Sequence, residues 1–457
     1  MALTTNSRLV LFSSDRELER GFDLLKGEAL RWVFEGWPVG DYYEAALPGR
    51  DAFCMRDTAH QCLGAQVLGL GRHNFNMLRK FAAGISESRD FCSYWEIDRY
   101  DRPCPVDYTS DAGFWYNLPA NFDVLDAVYR MYRHTGDVRY IADPAFERFC
   151  ALTMEQYIRR WDRDGDGIPD RIVEEGRRGI ASYDEGGESV NHVRAGADLV
   201  CAMARAYESY SAICRLTNRP EYARIYQRRG EALRRELTER WYDAEKGLAF
   251  GLGLDGRMLF PPRDPWREKD FLYRRLASPE QAAPILDGLE ARMAEAQIEL
   301  FSHLPEIFWQ YGRERAALRA MRLAMDKNLP RRDYPEASFC AVGAVAAGLM
   351  GIDPDAEHGR VTTLSGLANV EWASLLHVQA LDGAVSVEHA GHDRTTLENE
   401  CAYPIVWRAC FDGIRRIFVD GREADAQSAV LSCSGKRASY ADIPVEPGAA
   451  VTAEAKG

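Results

Sequence analysis

Trp161-Asp162-Arg163-Asp164-Gly165-Asp166-Gly167-Ile168-Pro169-Asp170, followed fourteen residues on by Asp184-Glu185-Gly186-Gly187-Glu188, interrupts a chain that otherwise reads as helix. Upstream, 138–160 has helical spacing of apolar residues. Downstream, 190–216 does the same. The carboxylates therefore sit in a bend between helices. Loops of this length inside a compact domain usually carry function.

Working outward, helical stretches are expected near 57–71, 74–88, 118–135, 219–241, 279–296, 298–311, 313–327 and 336–350. Ser14-Asp15-Arg16-Glu17 has the capping-box pattern and opens a further helix carrying Leu18, Phe22, Leu25 and Leu30. Short connections fall at Thr135-Gly136-Asp137 and Thr217-Asn218-Arg219-Pro220. Long ones span 89–116, 161–190 and 242–278. This alternation fits a ring of helical hairpins with its long loops at one end. After Gly351 the pattern changes. Val385–His389, Ile405–Ala409 and Ile417–Gly421 read as short strands, with Asp382-Gly383 and Asp420-Gly421 as hairpin turns. The expected division is a helical domain over 1–355 and a small antiparallel β domain over 360–457.

The 457 residues, 46% of them hydrophobic, are enough for a large core. A net charge of -13 argues against nucleic acid or anionic membrane as partner, because both select clustered Lys and Arg. No apolar run is long enough to span a bilayer. The eleven cysteines are scattered without a Cys-x-x-Cys pair, which predicts reduced, buried thiols. With an N-terminus lacking a signal-peptide layout, this predicts a cytoplasmic protein. Nothing in the chain points to an organic cofactor or to an oligomeric state.

Asp162, Asp164 and Asp166 occupy positions 1, 3 and 5 of a calcium-type loop. Gly167 stands at the sharp turn, the Ile168 carbonyl at position 7 and Asp170 at position 9. Val173 replaces the usual bidentate Glu. Two readings stand: a structural Ca2+ site, or an Asp/Gly turn whose carboxylates cap backbone amides. Asp184, Glu185 and Glu188 are candidate acids, since an apolar pocket or a like charge raises a carboxyl pKa toward neutrality. Glu336 enters a small-residue apolar helix of the kind that packs deep in a core, so its carboxylate is expected at the mouth of a central cavity. Glu306 shares its Pro-Glu layout. Trp95, Trp115 and Tyr116 pack into a core or stack on sugar faces, and their place in a long loop beside acids such as Asp111 favours the second reading. Arg56-Asp57, with His60 one turn on, has two readings: a site for a terminal sugar, or an ordinary helix-start Asp.

Together these residues resemble the six-hairpin glycosidases with an (α/α)6 toroid. That group includes trehalases, processing α-glucosidases, bile-acid β-glucosidases and α-rhamnosidases. The resemblance runs over roughly 50–350 through short motifs: Arg56-Asp57, Tyr132-Arg133-His134-Thr135-Gly136-Asp137, and Asp164-Gly165-Asp166-Gly167-Ile168-Pro169 followed by Tyr183-Asp184. The last combination is similar to the bile-acid β-glucosidase pattern and implies Asp184 as general acid. Asp51-Ala52-Phe53-Cys54-Met55 contains no Glu to match that family's nucleophile. Trehalase-like members place a base Glu near the last hairpin, where Glu336 fits. The β domain resembles the sandwich appended to rhamnosidase-like members.

The resemblance thus implies an inverting exo-glycosidase acting on an oligosaccharide or glycoconjugate, with Asp184 as acid and Glu336 as base. Glu188 and Asp111 are reserves for the acid. A sugar epimerase or unsaturated-uronide hydrolase on the same toroid is the second reading. The epimerase needs two histidines in the cavity, from His60, His192 and His303, with His192 the most suggestive beside Glu188. A non-catalytic glycan-binding protein is the third.

Overall fold

The computed structural model describes residues 7–183 and 192–457. Asp184, Glu185 and Glu188 fall outside the described residues. Among those described, twelve helices have seven residues or more. They are α1 (Arg16–Leu30), α2 (Met55–Val67), α3 (Gly71–Ala83), α4 (Ala120–Thr135), α5 (Pro144–Leu152) and α6 (Ala197–Leu216). The rest are α7 (Pro220–Glu236), α8 (Pro265–Tyr273), α9 (Pro279–Ala291), α10 (Leu304–Gln310), α11 (Glu314–Ala324) and α12 (Pro335–Ala344).

The even-numbered helices follow one another in space. α2 packs on α4, α4 on α6, α6 on α8, α8 on α10, α10 on α12, and α12 returns to α2. Odd-numbered helices cover them: α1 on α12, α3 on α2, α7 on α6, α9 on α8 and α11 on α10. Composition explains who lies inside. Every residue of α12 is buried, and α2 and α6 are buried over most of their length. α7 and α11 are amphipathic, with charged faces left to solvent.

The α2–α12 contact is the tightest. A Cβ on Gly64 would lie 1.8 Å from the Phe339 carbonyl oxygen, and one on Gly343 would lie 3.0 Å from the Gly64 nitrogen. Only glycine lets the two backbones approach this far. Gly64→Ala is expected to destabilise the protein by at least about 1–3 kcal/mol. A lowered urea midpoint checks this, and an unchanged midpoint would show that the two helices can separate freely.

Caps refine the expected boundaries. The N-cap of α1 is Asp15, not Ser14, and its carboxylate accepts from the amides of Glu17 and Leu18. A full capping box occurs instead at Ser278 and Gln281, ahead of α9. Gly136 ends α4 with a φ of 75°, as its place in Thr135-Gly136-Asp137 suggested. The expected long loop over 242–278 contains α8, started by Asp264 and Pro265.

Two sheets follow the helices. The seven-stranded sheet runs in the order Val10–Ser13, Trp372–Ala380, Gly383–Ala390, Arg394–Asn399, Ala450–Lys456, Arg416–Val419, Arg422–Glu423. Its first strand comes from the N-terminus, which sequence patterning had assigned to the helical part. The five-stranded sheet is Asp353–Asp355, Arg360–Leu364, Ile405–Asp412, Arg437–Val445, Gln427–Val430. Arg360–Leu364 pairs parallel to Ile405–Asp412, so this part is mixed and not wholly antiparallel. Asp420-Gly421 forms a two-residue hairpin loop, both with positive φ. At the other predicted turn the loop is Leu381-Asp382, one residue earlier.

All eleven cysteines are free thiols, ten of them buried. Among the described residues, no helix is long and apolar enough to cross a membrane.

Candidate active site

The N-terminal ends of α2, α6, α8, α10 and α12 converge on one cavity of about 330 Å3. Arg56 and His60 reach it from the first turns of α2, one turn apart on one face. Asp198 enters from the start of α6. Trp266, Lys269 and Asp270 share one face of α8. His303 is the N-cap residue of α10, and Glu336 lies in the first turn of α12. Helix N-termini favour negative charge, which helps explain why carboxylates collect here.

Glu336 is 4% exposed and accepts a hydrogen bond across 2.7 Å from Nδ1 of His60. Burial pushes its carboxyl above the usual range, while the Arg56 guanidinium and the Tyr334 hydroxyl pull it back. Asp57 is buried too, and burial and then Glu336 raise its carboxyl. It accepts from the Tyr334 hydroxyl at 2.7 Å and the Cys54 thiol at 2.5 Å. Asp57 is thus a buried support behind Arg56 and Tyr334. Burial drives the pKa of both His60 and His303 well below 6.5, so both rings are neutral near pH 7.

Ser182 and Tyr183, the residues that precede Asp184 in the sequence, also line the cavity. Tyr183 is held at both ends. Its amide donates to Asp198 at 2.6 Å, and its hydroxyl donates to Asp123 at 2.5 Å. Arg56 lies over its ring at 4.9 Å. Asp123, in the first turn of α4, is paired with Arg274 in a buried ion pair. Burial raises the Asp198 carboxyl to about 6, yet its oxygens already accept from Ser182, Tyr183 and Leu199. That geometry makes Asp198 a clamp on the 182–183 turn.

The structure thus brings Arg56, Tyr183 and Glu336 together around one space. Trp95 is half-buried and stands behind Tyr183, with ring centres 6.3 Å apart. Other expected sugar contacts lie elsewhere. Tyr116 is a core residue with no exposure, its hydroxyl bonded to Asn121, which corrects its assignment as a stacking platform. Trp115 packs under Arg177 at 5.1 Å and does not line the cavity. Asp111 is tied to Ser88, Arg89 and Tyr108, which hold its carboxyl down at about 2. A group ionised at every working pH cannot serve as a reserve acid. Glu306 accepts from Gln310 at 2.6 Å and lies off the cavity. His192 is exposed and is not among the lining residues.

In the Asp-rich loop, carboxylate oxygens of Asp162, Asp164 and Asp166 lie within 4.8 Å of one another. Asp162 accepts from the amides of Gly165 and Gly167, and Asp166 from that of Ile168. Arg194 then faces the remaining oxygens. Its guanidinium lies 2.7 Å from Asp164, 3.3 Å from Asp166 and 2.9 Å from buried Asp170. A Ca2+ ion needs six to eight oxygens and would have to displace this guanidinium. The amide-capping reading describes the observed contacts, with Arg194 as the counter-ion. Ca2+ is therefore expected to raise the melting temperature of Arg194→Met more than that of wild type. Equal shifts in a calcium titration by calorimetry would show that Arg194 does not compete with the ion.

No protein-family model matches the chain, and none of the curated proteins does. Solved structures do match. The α-L-rhamnosidase from Dictyoglumus thermophilum superposes with a TM-score of 0.64 at 11% identity, over 99% of this chain and 51% of that one. The GH78 family rhamnosidase of Bacillus sp. GL1 gives 0.61 at 14% identity, over 87% of this chain and 41% of that one. A glycosidase solved in complex with glucose gives 0.51 at 12% identity, over 72% of this chain and 96% of that one. The chain spans about half the length, or less, of the two rhamnosidases. At these identities the likeness is one of fold, and the fold is shared with glycoside hydrolases.

Proposed function

We propose that the chain is an (α/α)6 catalytic toroid over 1–355 with a β-sandwich over 360–457, joined by the N-terminal strand Val10–Ser13. Its activity is that of an inverting exo-glycosidase on an oligosaccharide or glycoconjugate. One observation supports this reading: Glu336 lines the same cavity as Ser182 and Tyr183, the residues that precede Asp184 in the sequence.

Asp184 protonates the glycosidic oxygen. Glu336, oriented by His60, deprotonates a water on the opposite face of the sugar. Inversion requires about 6.5–9.5 Å between the two carboxyl groups. The glycosidic C–O bond breaks and the sugar carbon takes the water oxygen. One water proton goes to Glu336, and the Asp184 proton leaves with the aglycone. Arg56, Lys269 and Trp266 supply hydrogen bonds and an aromatic face for the sugar. The α-L-rhamnosidase neighbours make a rhamnoside the first substrate to try. A structural Ca2+ at the Asp-rich loop, if it binds, stiffens the loop and takes no part in the chemistry.

The epimerase reading keeps one specific support, since His60 and His303 both line the cavity. Against it, Asp198, Asp270, Glu299 and Glu336 line the same cavity, which suits acid–base hydrolysis. Product analysis decides. A hydrolase releases sugar from a glycoside, whereas an epimerase converts a free sugar and releases none.

A further inference from the structure

His60, His303 and Glu336 are buried side by side, at 7%, 4% and 4% exposure. One ligand-type atom from each lies within 4.8 Å of the other two. The imidazole rings meet edge to face, with centres 4.6 Å apart. Nε2 of His60 and Nδ1 of His303 are buried and, among the described residues, have no hydrogen-bond partner. Buried polar atoms are nearly always satisfied. Two such nitrogens on touching rings, on residues that line the cavity beside a carboxylate, form a donor set for a ligand.

We propose that this triad binds a divalent transition metal of the zinc class. Two imidazoles and one carboxylate are the donor set that Zn2+ favours and that Ca2+ and Mg2+ do not. Zn–N and Zn–O bonds of about 2.0–2.1 Å place tetrahedral ligands about 3.4 Å apart, so no pair of these atoms has to close by more than about 1.4 Å. The cavity leaves the fourth position to water. Tyr273 packs against both rings, at 5.6 Å from His60 and 4.2 Å from His303, and limits their rotation. Arg56 and Lys269 also line the cavity, where Asp270 is paired with Lys269 and Asp57 lies beside Arg56. A bound metal takes the Glu336 oxygen that would accept the water proton. Metal occupancy and hydrolysis then exclude each other, a consequence that rests on Glu336 being the base.

The test is equilibrium dialysis of the full chain against Zn2+ alone, read by atomic emission, with Co2+ as a spectroscopic probe. The expected result is about one Zn2+ per chain and the visible absorption of tetrahedral Co2+. Binding should weaken on the order of a hundredfold or more in His60→Ala and in His303→Ala. It should persist in Asp164→Asn. His303→Gln, which keeps the side-chain volume, serves if an alanine variant fails to fold. No bound metal in wild type, or stoichiometric binding that survives loss of both histidines, overturns the proposal. Because this readout needs no substrate, it stands or falls separately from glycoside turnover.

Discussion

Glu336→Gln should lower turnover roughly a hundred- to ten-thousand-fold while the protein stays folded. Gln keeps the shape and can still accept from His60 Nδ1, now 2.7 Å from Glu336 Oε1. What it loses is the ability to take a proton from water. Since burial already raises the Glu336 carboxyl, its charge is disfavoured in the folded state. The variant is therefore expected to melt at the same temperature as wild type or higher, the usual relation between a working site and stability. Steady-state kinetics beside calorimetry checks both halves. Full turnover in a folded variant would remove Glu336 from the chemistry. Lost turnover with a collapsed melting temperature would mean that Glu336 is structural.

Arg274→Met is expected to cost about 3–5 kcal/mol, because it leaves Asp123 charged and unpaired in the interior. Arg274 and Asp123 have side-chain exposures of 6% and 1%, and burial disfavours the Asp123 charge that Arg274 favours. Replacing both, as in Arg274→Met with Asp123→Leu, should recover much of the loss, since the expense lies in the stranded charge. A double-mutant cycle from urea unfolding measures this coupling. Simple additivity would mean that the two groups do not depend on each other. The pair also bears on function. Asp123 holds the Tyr183 hydroxyl, and Tyr183 precedes Asp184, so the double variant should regain stability but not turnover.

The helical body was legible because its signals are local. Caps, glycine stops and 3.6-residue periodicity mark many of the helices, among them α1, α4, α7 and α11, and the switch to period two after Gly351 marked the sheets. Shorter elements escaped. α8 has nine residues and shows too little periodicity to stand out, although Asp264-Pro265 is a fair start signal. Val10–Ser13 is a four-residue strand whose partner lies some 360 residues away. Nothing local announces such a pairing.

The site was legible only where one residue carries its own signal. Arg56, at a helix start, and Glu336, at the mouth of an apolar helix, were expected and line the cavity. Trp266, Lys269, Asp270 and Asp198 were not anticipated, because each becomes a neighbour of the others only through tertiary packing. Tyr116 shows the reverse error. Aromatic residues in a long loop can serve the core as readily as a ligand, and the sequence does not separate the two. Arg194 was not anticipated either. The carboxylate-rich loop left a metal site and an amide-capping turn both open, and nothing in the sequence signals that a side chain on a later strand faces its carboxylates.

The most direct measurement is hydrolysis of nitrophenyl glycosides, α-L-rhamnoside first and then the α and β forms of glucose, galactose, mannose and glucuronate. Wild type should be run beside Asp184→Asn and Glu336→Gln. The expected result is turnover of at least one glycoside, with inversion at the anomeric carbon, abolished by either substitution. Turnover that survives both substitutions would contradict the assignment of the two carboxylates, and failure to cleave any glycoside would contradict the hydrolase reading.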